Sequence, residues 1–170
     1  MYFQYPLETI ARRPGLASQL DFATEARRRL PPDSDETLYE PHDHGLVILA
    51  ADETALCAPV GILRDAYGDF VQVSGPKVRY LPGRPPHLPV MHVRVSMPNR
   101  YELRVVAELR RRGVRMLERC ERSGTFTLRA EAPLEDLLGL PAWLDDATEG
   151  TASHAIRLQC YAPSPLGPAA

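Results

Sequence analysis

Four prolines and a glycine crowd into nine residues, Leu81-Pro82-Gly83-Arg84-Pro85-Pro86-His87-Leu88-Pro89. Each proline lacks the N–H that a helix or an inner strand requires, so the stretch can neither propagate a helix nor cross a sheet interior. It reads as a stiff linker over residues 82–89. The 170 residues are thereby divided into two halves of about 80 residues each, at the small end for a domain with its own core. Charge changes at the same place: residues 1–83 carry net −4 and residues 84–170 net +2, within an overall −2. The tail, residues 164–170, is dense in proline and small residues and reads as extended or frayed.

Both halves run strand, helix, hairpin, helix, strand. In the second, over residues 90–163, Met91, Val93 and Val95 alternate with His92, Arg94 and Ser96, the period of a strand with one wet face. Asn99, with Glu102 three residues on, has the spacing of a helix cap. Leu103, Val106 and Ala107 supply the apolar stripe of that helix, and Gly113 ends it. Residues 115–121 and 125–131 form two strands around Arg122-Ser123-Gly124. Residues 134–138 start a short helix broken near Gly139 and Pro141, and residues 154–161 form the last strand. A βαββαβ order of this kind makes a four-stranded antiparallel sheet with both helices on one face, the ferredoxin-like α+β fold.

The first half, residues 1–81, repeats the order. A strand is expected over residues 2–10, and a helix over 16–30 with Leu16, Leu20, Ala23, Ala26 and Leu30 inward. Strands at 37–40 and 46–50 flank the turn Pro41-His42-Asp43-His44-Gly45. A second helix lies within residues 52–67, where Pro59 demands a kink or a helix start. Residues 70–73 close the sheet. The chain therefore predicts two ferredoxin-like βαββαβ domains in tandem.

Composition sets the broad class. Hydrophobic residues at 44% and charged residues at 25% fit a globular chain and exclude wholesale disorder. No apolar run approaches about 18 residues, so no membrane contact is expected. The segment Met1-Tyr2-Phe3-Gln4-Tyr5-Pro6 lacks the marks of a secretory signal. Cys57, Cys120 and Cys160 include no Cys-x-x-Cys pair, as expected of reduced thiols in a cytoplasmic protein.

Catalytic constellations are missing from the pattern. A phosphate-cradling loop needs Gly-x-x-x-x-Gly-Lys-Ser/Thr. The single lysine, Lys77, instead follows Ser74-Gly75-Pro76, and Pro76 has no N–H to offer. His42 and His44 flank Asp43 at a spacing uncommon for structural zinc, with no second ligand pair in view, and a polar hairpin turn is the better account of them. Glu135 and Asp136 are adjacent rather than one helical turn apart, which argues against acid–base work. No catalytic residue, cofactor or metal is expected.

Arginine is the stronger signal. Eight lie between residues 100 and 122, among them Arg110, Arg111, Arg112 and Arg115, interleaved with four glutamates. They read either as a salt-bridged, solvated helix face or as a phosphate-contacting patch. A second group follows from the fold. In strand order 4-1-3-2 the closing, opening and third strands are neighbours, so Arg94, Arg129 and Arg157 share the helix-free face with Thr127, Gln159 and Tyr161. Three guanidiniums so placed repel one another and call for an anionic partner: RNA, the acidic first half, or a second copy of the chain.

Particular motifs carry a family resemblance. Residues 88–95, Leu-Pro-Val-Met-His-Val-Arg-Val, resemble the opening strand of the C-terminal (fifth) domain of elongation factor G. Arg110-Arg111-Arg112-Gly113 stands where that family has its Arg-Arg-Gly helix end. Residues 128–140 resemble its strand, Pro-Leu turn and short helix, residues 148–152 its Thr-x-Gly-small-Ala loop, and Tyr161-Ala162-Pro163 its terminal Tyr-x-Pro. More distantly, residues 1–81 are similar to the third domain. Glu53 and Leu56 remain from its Gly-Met-Gly-Glu-Leu-His-Leu signature, and residues 73–80 resemble its Val-Gly-x-Pro-x-Val-x-Tyr exit strand. The resemblance implies third domain joined directly to fifth, with GTPase, second and fourth domains absent. It also implies a non-catalytic translation-factor-like module contacting the ribosome or rRNA, with no DNA partner expected. A protein–protein or self-association module that has left translation is the alternative.

Overall fold

Leu7, Thr9 and Ala11 are buried while Glu8, Ile10 and Arg12 take the other face, and this alternation makes β1 (Leu7–Arg12). In the computed structural model, which describes residues 3–164, the chain divides into two units between Arg79 and Tyr80. After β1 comes α1 (Gln19–Arg29), whose N-cap Ser18 accepts the Asp21 N–H through Oγ at 3.2 Å. Asp21 in its first turn and Arg27, Arg28 and Arg29 in its last suit the helix dipole. β2 (Thr37–His42) and β3 (Gly45–Ala50) form a hairpin paired from Thr37↔Ala50 to His42↔Gly45. α2 (Glu53–Tyr67) is capped by Asp52, whose Oδ1 accepts the Ala55 N–H at 2.9 Å. It runs through Pro59, which is buried, so the helix neither starts nor stops there.

The closing edge departs from the expected 70–73 strand. β4 (Gln72–Val73) and β5 (Lys77–Val78) both pair antiparallel with β1, and Ser74–Pro76 interrupts them. Ser74 fills the gap: its Oγ accepts the Ile10 N–H at 3.0 Å, and its carbonyl accepts the Thr9 hydroxyl at 2.6 Å. Sheet order is β2-β3-β1-β4, with β5 also on β1. Two expectations change. β1 begins at Leu7 rather than near residue 2, which lies outside the described residues. Leu16 and Leu20 are exposed because the helix starts at Gln19, and its inward face is set by Phe22, Ala23 and Ala26.

In the second unit, Leu81 and His87 exchange backbone hydrogen bonds at 2.9 and 3.0 Å, closing the proline-rich segment into a turn. β6 (His87–Pro98) therefore starts inside the expected linker, and residues 87–89 belong to a strand. α3 (Glu102–Arg111) follows a 3-10 turn at Asn99–Tyr101. Asn99 is not its cap; the Asn99 Nδ2 donates instead to Glu121. Val105, Val106 and Leu109 point inward, and Leu103, expected in the buried stripe, is 83% exposed. β7 (Arg115–Arg122) and β8 (Thr125–Pro133) meet at Ser123-Gly124, whose φ values of 51° and 79° are those of a type I′ hairpin turn.

α4 (Leu134–Leu137) is a single turn, ended by Gly139 at φ 74°. A helix not anticipated, α5 (Leu140–Ala147), begins at once, with Pro141 in its first turn, where a missing N–H costs nothing. β9 (Ser153–Pro163) completes the sheet in the order β7-β8-β6-β9. Met91, Val93, Val95 and Met97 of β6 and Leu128 and Ala130 of β8 form the core with Leu109, Leu137, Leu140 and Leu144 of the helices. Both units are ferredoxin-like, and the chain is α+β. The tail from residue 165 lies outside the described residues.

Candidate functional site

The alternation that buries Val93 and Val95 turns His92, Arg94 and Ser96 to the helix-free face of the second sheet. Register decides what they meet. Arg94 lies directly opposite Arg129 on β8, and Arg157 on β9 lies directly opposite His92. Two cations on facing cross-strand positions are destabilising on their own. Glu118 on β7 lies opposite Arg129 and pairs with it at 3.2 Å, while Glu131 pairs with Arg115. Arg94, Arg122 and Arg157 make no ion pair or side-chain hydrogen bond among the described residues. The face thus sets five arginines against two glutamates. A shallow concavity of ≈ 520 Å³ on it is lined by Arg94, Arg122, Arg129, Glu118, Cys120 and Thr127.

A bulge adjusts the neighbours expected around these arginines. Pairing between β6 and β9 shifts from Met91↔Leu158 to Val90↔Cys160, leaving Gln159 without a partner residue. Cys160 therefore joins the helix-free face, and Tyr161 falls opposite Pro89. Sequence alternation carries no mark of the extra residue. His92 was also open to prediction, since it falls two residues from Arg94 on the same strand, whereas Arg122 joins the face only through the register of β7 on β8.

The helix arginines lie elsewhere. Arg111 and Arg112 both bind Glu108, and Arg112 also donates to the Asp136 and Leu138 carbonyls. Arg104 reaches the Ala147 carbonyl at 3.2 Å, and Arg119 pairs with Glu102 at 2.8 Å while lying over Phe126. Of the Arg110–Arg112 run, Arg110 alone has no ion pair among the described residues. The dense arginine segment is thus split between two faces, and most of it binds this protein's own carboxylates and carbonyls.

In the first unit, His42 and His44 stack at 5.1 Å, His42 beside Glu40 at 3.5 Å and His44 against Asp43 at 3.0 Å. The His44 contact holds the Asp43 carboxyl below its ordinary range. Among the described residues no group of three or more His, Cys, Asp or Glu is arranged to hold a metal ion. All three cysteines are free and exposed. No helix of the described residues is long and apolar enough to cross a membrane.

Comparison with known proteins agrees with the motifs of the second half. Residues 89–170 match the family model for the elongation factor G C-terminus. A curated relative, elongation factor G of Gluconobacter oxydans (strain 621H), is 37% identical over 79 residues, 45% of this chain. The match takes in 11% of that relative's length. A crystal structure of a Thermus thermophilus protein superposes with a TM-score of 0.68, covering 95% of this chain and 41% of that one at 14% identity. That likeness extends the shared fold across both units. The second half of the chain is thus a ferredoxin-like domain similar to the elongation factor G C-terminus.

Proposed function

We propose that this chain is a translation-factor-like module without GTPase activity, which contacts ribosomal RNA through the helix-free face of its second sheet. The observation that carries the reading is the Arg94–Arg129 cross-strand pair beside Arg157. These are like charges on adjacent strands, and only Arg129 has a carboxylate, at a half-exposed position where an ion pair contributes at most about 1 kcal/mol. A phosphate backbone supplies the missing anions, and guanidinium suits it through paired N–H donors. Apart from His92, the described residues of this face include no aromatic ring, so base stacking gives way to backbone contact. Similarity of residues 89–170 to the elongation factor G C-terminus makes the ribosome the natural source of that RNA. The first unit is read as the counterpart of the third domain, on its fold and the exit-strand motif. No P-loop sequence is present to cradle a nucleotide.

Co-sedimentation with purified ribosomes tests the reading. Wild-type chain is expected in the ribosomal pellet at moderate salt. Replacing Arg94, Arg129 and Arg157 together by Gln should release it and flatten the salt dependence by roughly three counterions' worth. Pelleting that the triple replacement leaves intact would remove this face from the contact.

A further inference from the structure

Three of the four sheet edges are blunted. β4 and β5 are two residues each, β2 carries Glu40 and Pro41, and β7 has five charged residues in eight plus a bulge at Leu117. Such devices keep an edge from recruiting a foreign strand. β9 has no proline, no bulge and a single charge over its first half. It is eleven residues long with Arg157 as its one formal charge, and its bulge at Gln159 leaves Ser153–Leu158 regular. On one side this segment pairs with β6; on the other, no strand lies beside it among the described residues.

We infer that Ser153–Leu158 is a self-association edge, where β9 of a second copy adds antiparallel to make one eight-stranded sheet. The segment is its own complement. Paired about Ile156, it sets Ile156 against Ile156, His154 against Leu158 and Ala155 against Arg157 of the second copy. Residues on the helix side stay on the helix side, extending the apolar layer, and the single cation never opposes itself. Other partners fit less well: an unrelated strand would need the same parity of small and apolar residues, which this chain already supplies. The geometry has an electrostatic consequence. Arg94 lies opposite Ala155 within one copy, so Arg157 of the second copy arrives on Ala155's other side. Two guanidiniums then flank each Ala155, and salt that screens them should tighten the dimer. This is the reverse of the salt dependence of phosphate binding, so the inference stands or falls apart from the ribosome reading.

Sedimentation velocity on the full chain, across micromolar concentrations and from low to high salt, tests it. A dimer that tightens with salt is expected. Ala155 is exposed, so charge can be placed there without entering the core. Ala155→Glu should lower the dissociation constant by about tenfold and Ala155→Lys raise it by about as much, two symmetric cross-strand contacts changing at once. Hydrogen exchange on the wild type adds a check free of variants: amides within residues 153–158 should gain protection as concentration rises. A monomer under every condition, or a dimer whose constant both variants shift alike or leave unchanged, overturns the inference. So does exchange in that segment that ignores concentration.

Discussion

Arg112 donates through Nε to Glu108, one turn back on α3, at 2.7 Å, and through Nη1 to the Asp136 and Leu138 carbonyls at 3.1 and 2.8 Å. One side chain thus fastens the end of α3 to α4 and to the residue that follows it. Its side chain is 14% exposed and that of Glu108 10%. Truncating it leaves two carbonyls and a shielded carboxylate short of donors. Arg112→Ala is expected to cost about 2–3 kcal/mol in chemical denaturation. Arg112→Lys should recover only part of this, because an ammonium lacks the planar fork. Arg111, 69% exposed on the same carboxylate, should cost under about 1 kcal/mol when replaced by Ala.

The same carboxylate predicts a pH signature. Glu108 is lowered from 4.5 to about 2: the Arg111 hydrogen bond pulls hardest, burial opposes it, and Arg112 adds to the pull. A lowered carboxyl stabilises the folded state above its unfolded value and loses that contribution as pH falls through the folded value. Wild type should therefore lose stability between about pH 4.5 and 2 more steeply than Glu108→Gln. The two denaturation midpoints should converge at the acid end. Parallel curves across that window would deny the carboxylate its role.

Two glycines should respond in opposite directions to the same methyl group. Gly45 sits at φ 131°, and an added Cβ would lie 2.5 Å from the Ala11 carbonyl oxygen. Gly45→Ala forces β3 away from β1 and should destabilise by about 2 kcal/mol or more. Gly61, inside α2, has nothing within 4 Å of an added Cβ. Gly61→Ala should stabilise by about 0.5–1 kcal/mol through helix propensity and a less free unfolded chain.

The topology was legible because period-two alternation and helical spacing are properties of single segments. Where two segments compete, the sequence was ambiguous. Leu103, Val106 and Ala107 satisfy helical spacing as well as Val105, Val106 and Leu109, and the 3-10 turn at Asn99–Tyr101 sets the phase that buries the second set. Pro141 read as a breaker since its effect depends on position; after Gly139 in a left-handed conformation it opens α5 instead. The arginine face was visible once the strand order was fixed, because alternation and order together assign sides. The Gln159 bulge and the engagement of Arg112 with carbonyls 24 and 26 residues away leave no local trace.

The last expectation concerns where the second half can be cut free. The proline run reads as a linker over residues 82–89 and the family resemblance begins at residue 88, yet the structure ties the preceding residues to this unit. Leu81 and His87 exchange backbone bonds, the Ser164 N–H donates to the Pro86 carbonyl at 2.9 Å, and the Tyr80 hydroxyl donates to Glu135 at 2.8 Å. These contacts hold the first residues of β6 and bring the end of β9 back beside them. We propose that residues 80–170 fold alone, with a core built from Met91, Val93, Leu109, Leu128 and Leu144, all within that span. A fragment starting at residue 88 keeps that core but loses three backbone hydrogen bonds and the Tyr80 contact. At about 0.5–1.5 kcal/mol each, those bonds are a sizeable part of the stability of a domain of this size. Both fragments should give native-like near-ultraviolet circular dichroism, with the longer one unfolding at higher denaturant. Equal midpoints would mean the turn is held without adding stability, and a molten 80–170 fragment would show that its core needs the first unit.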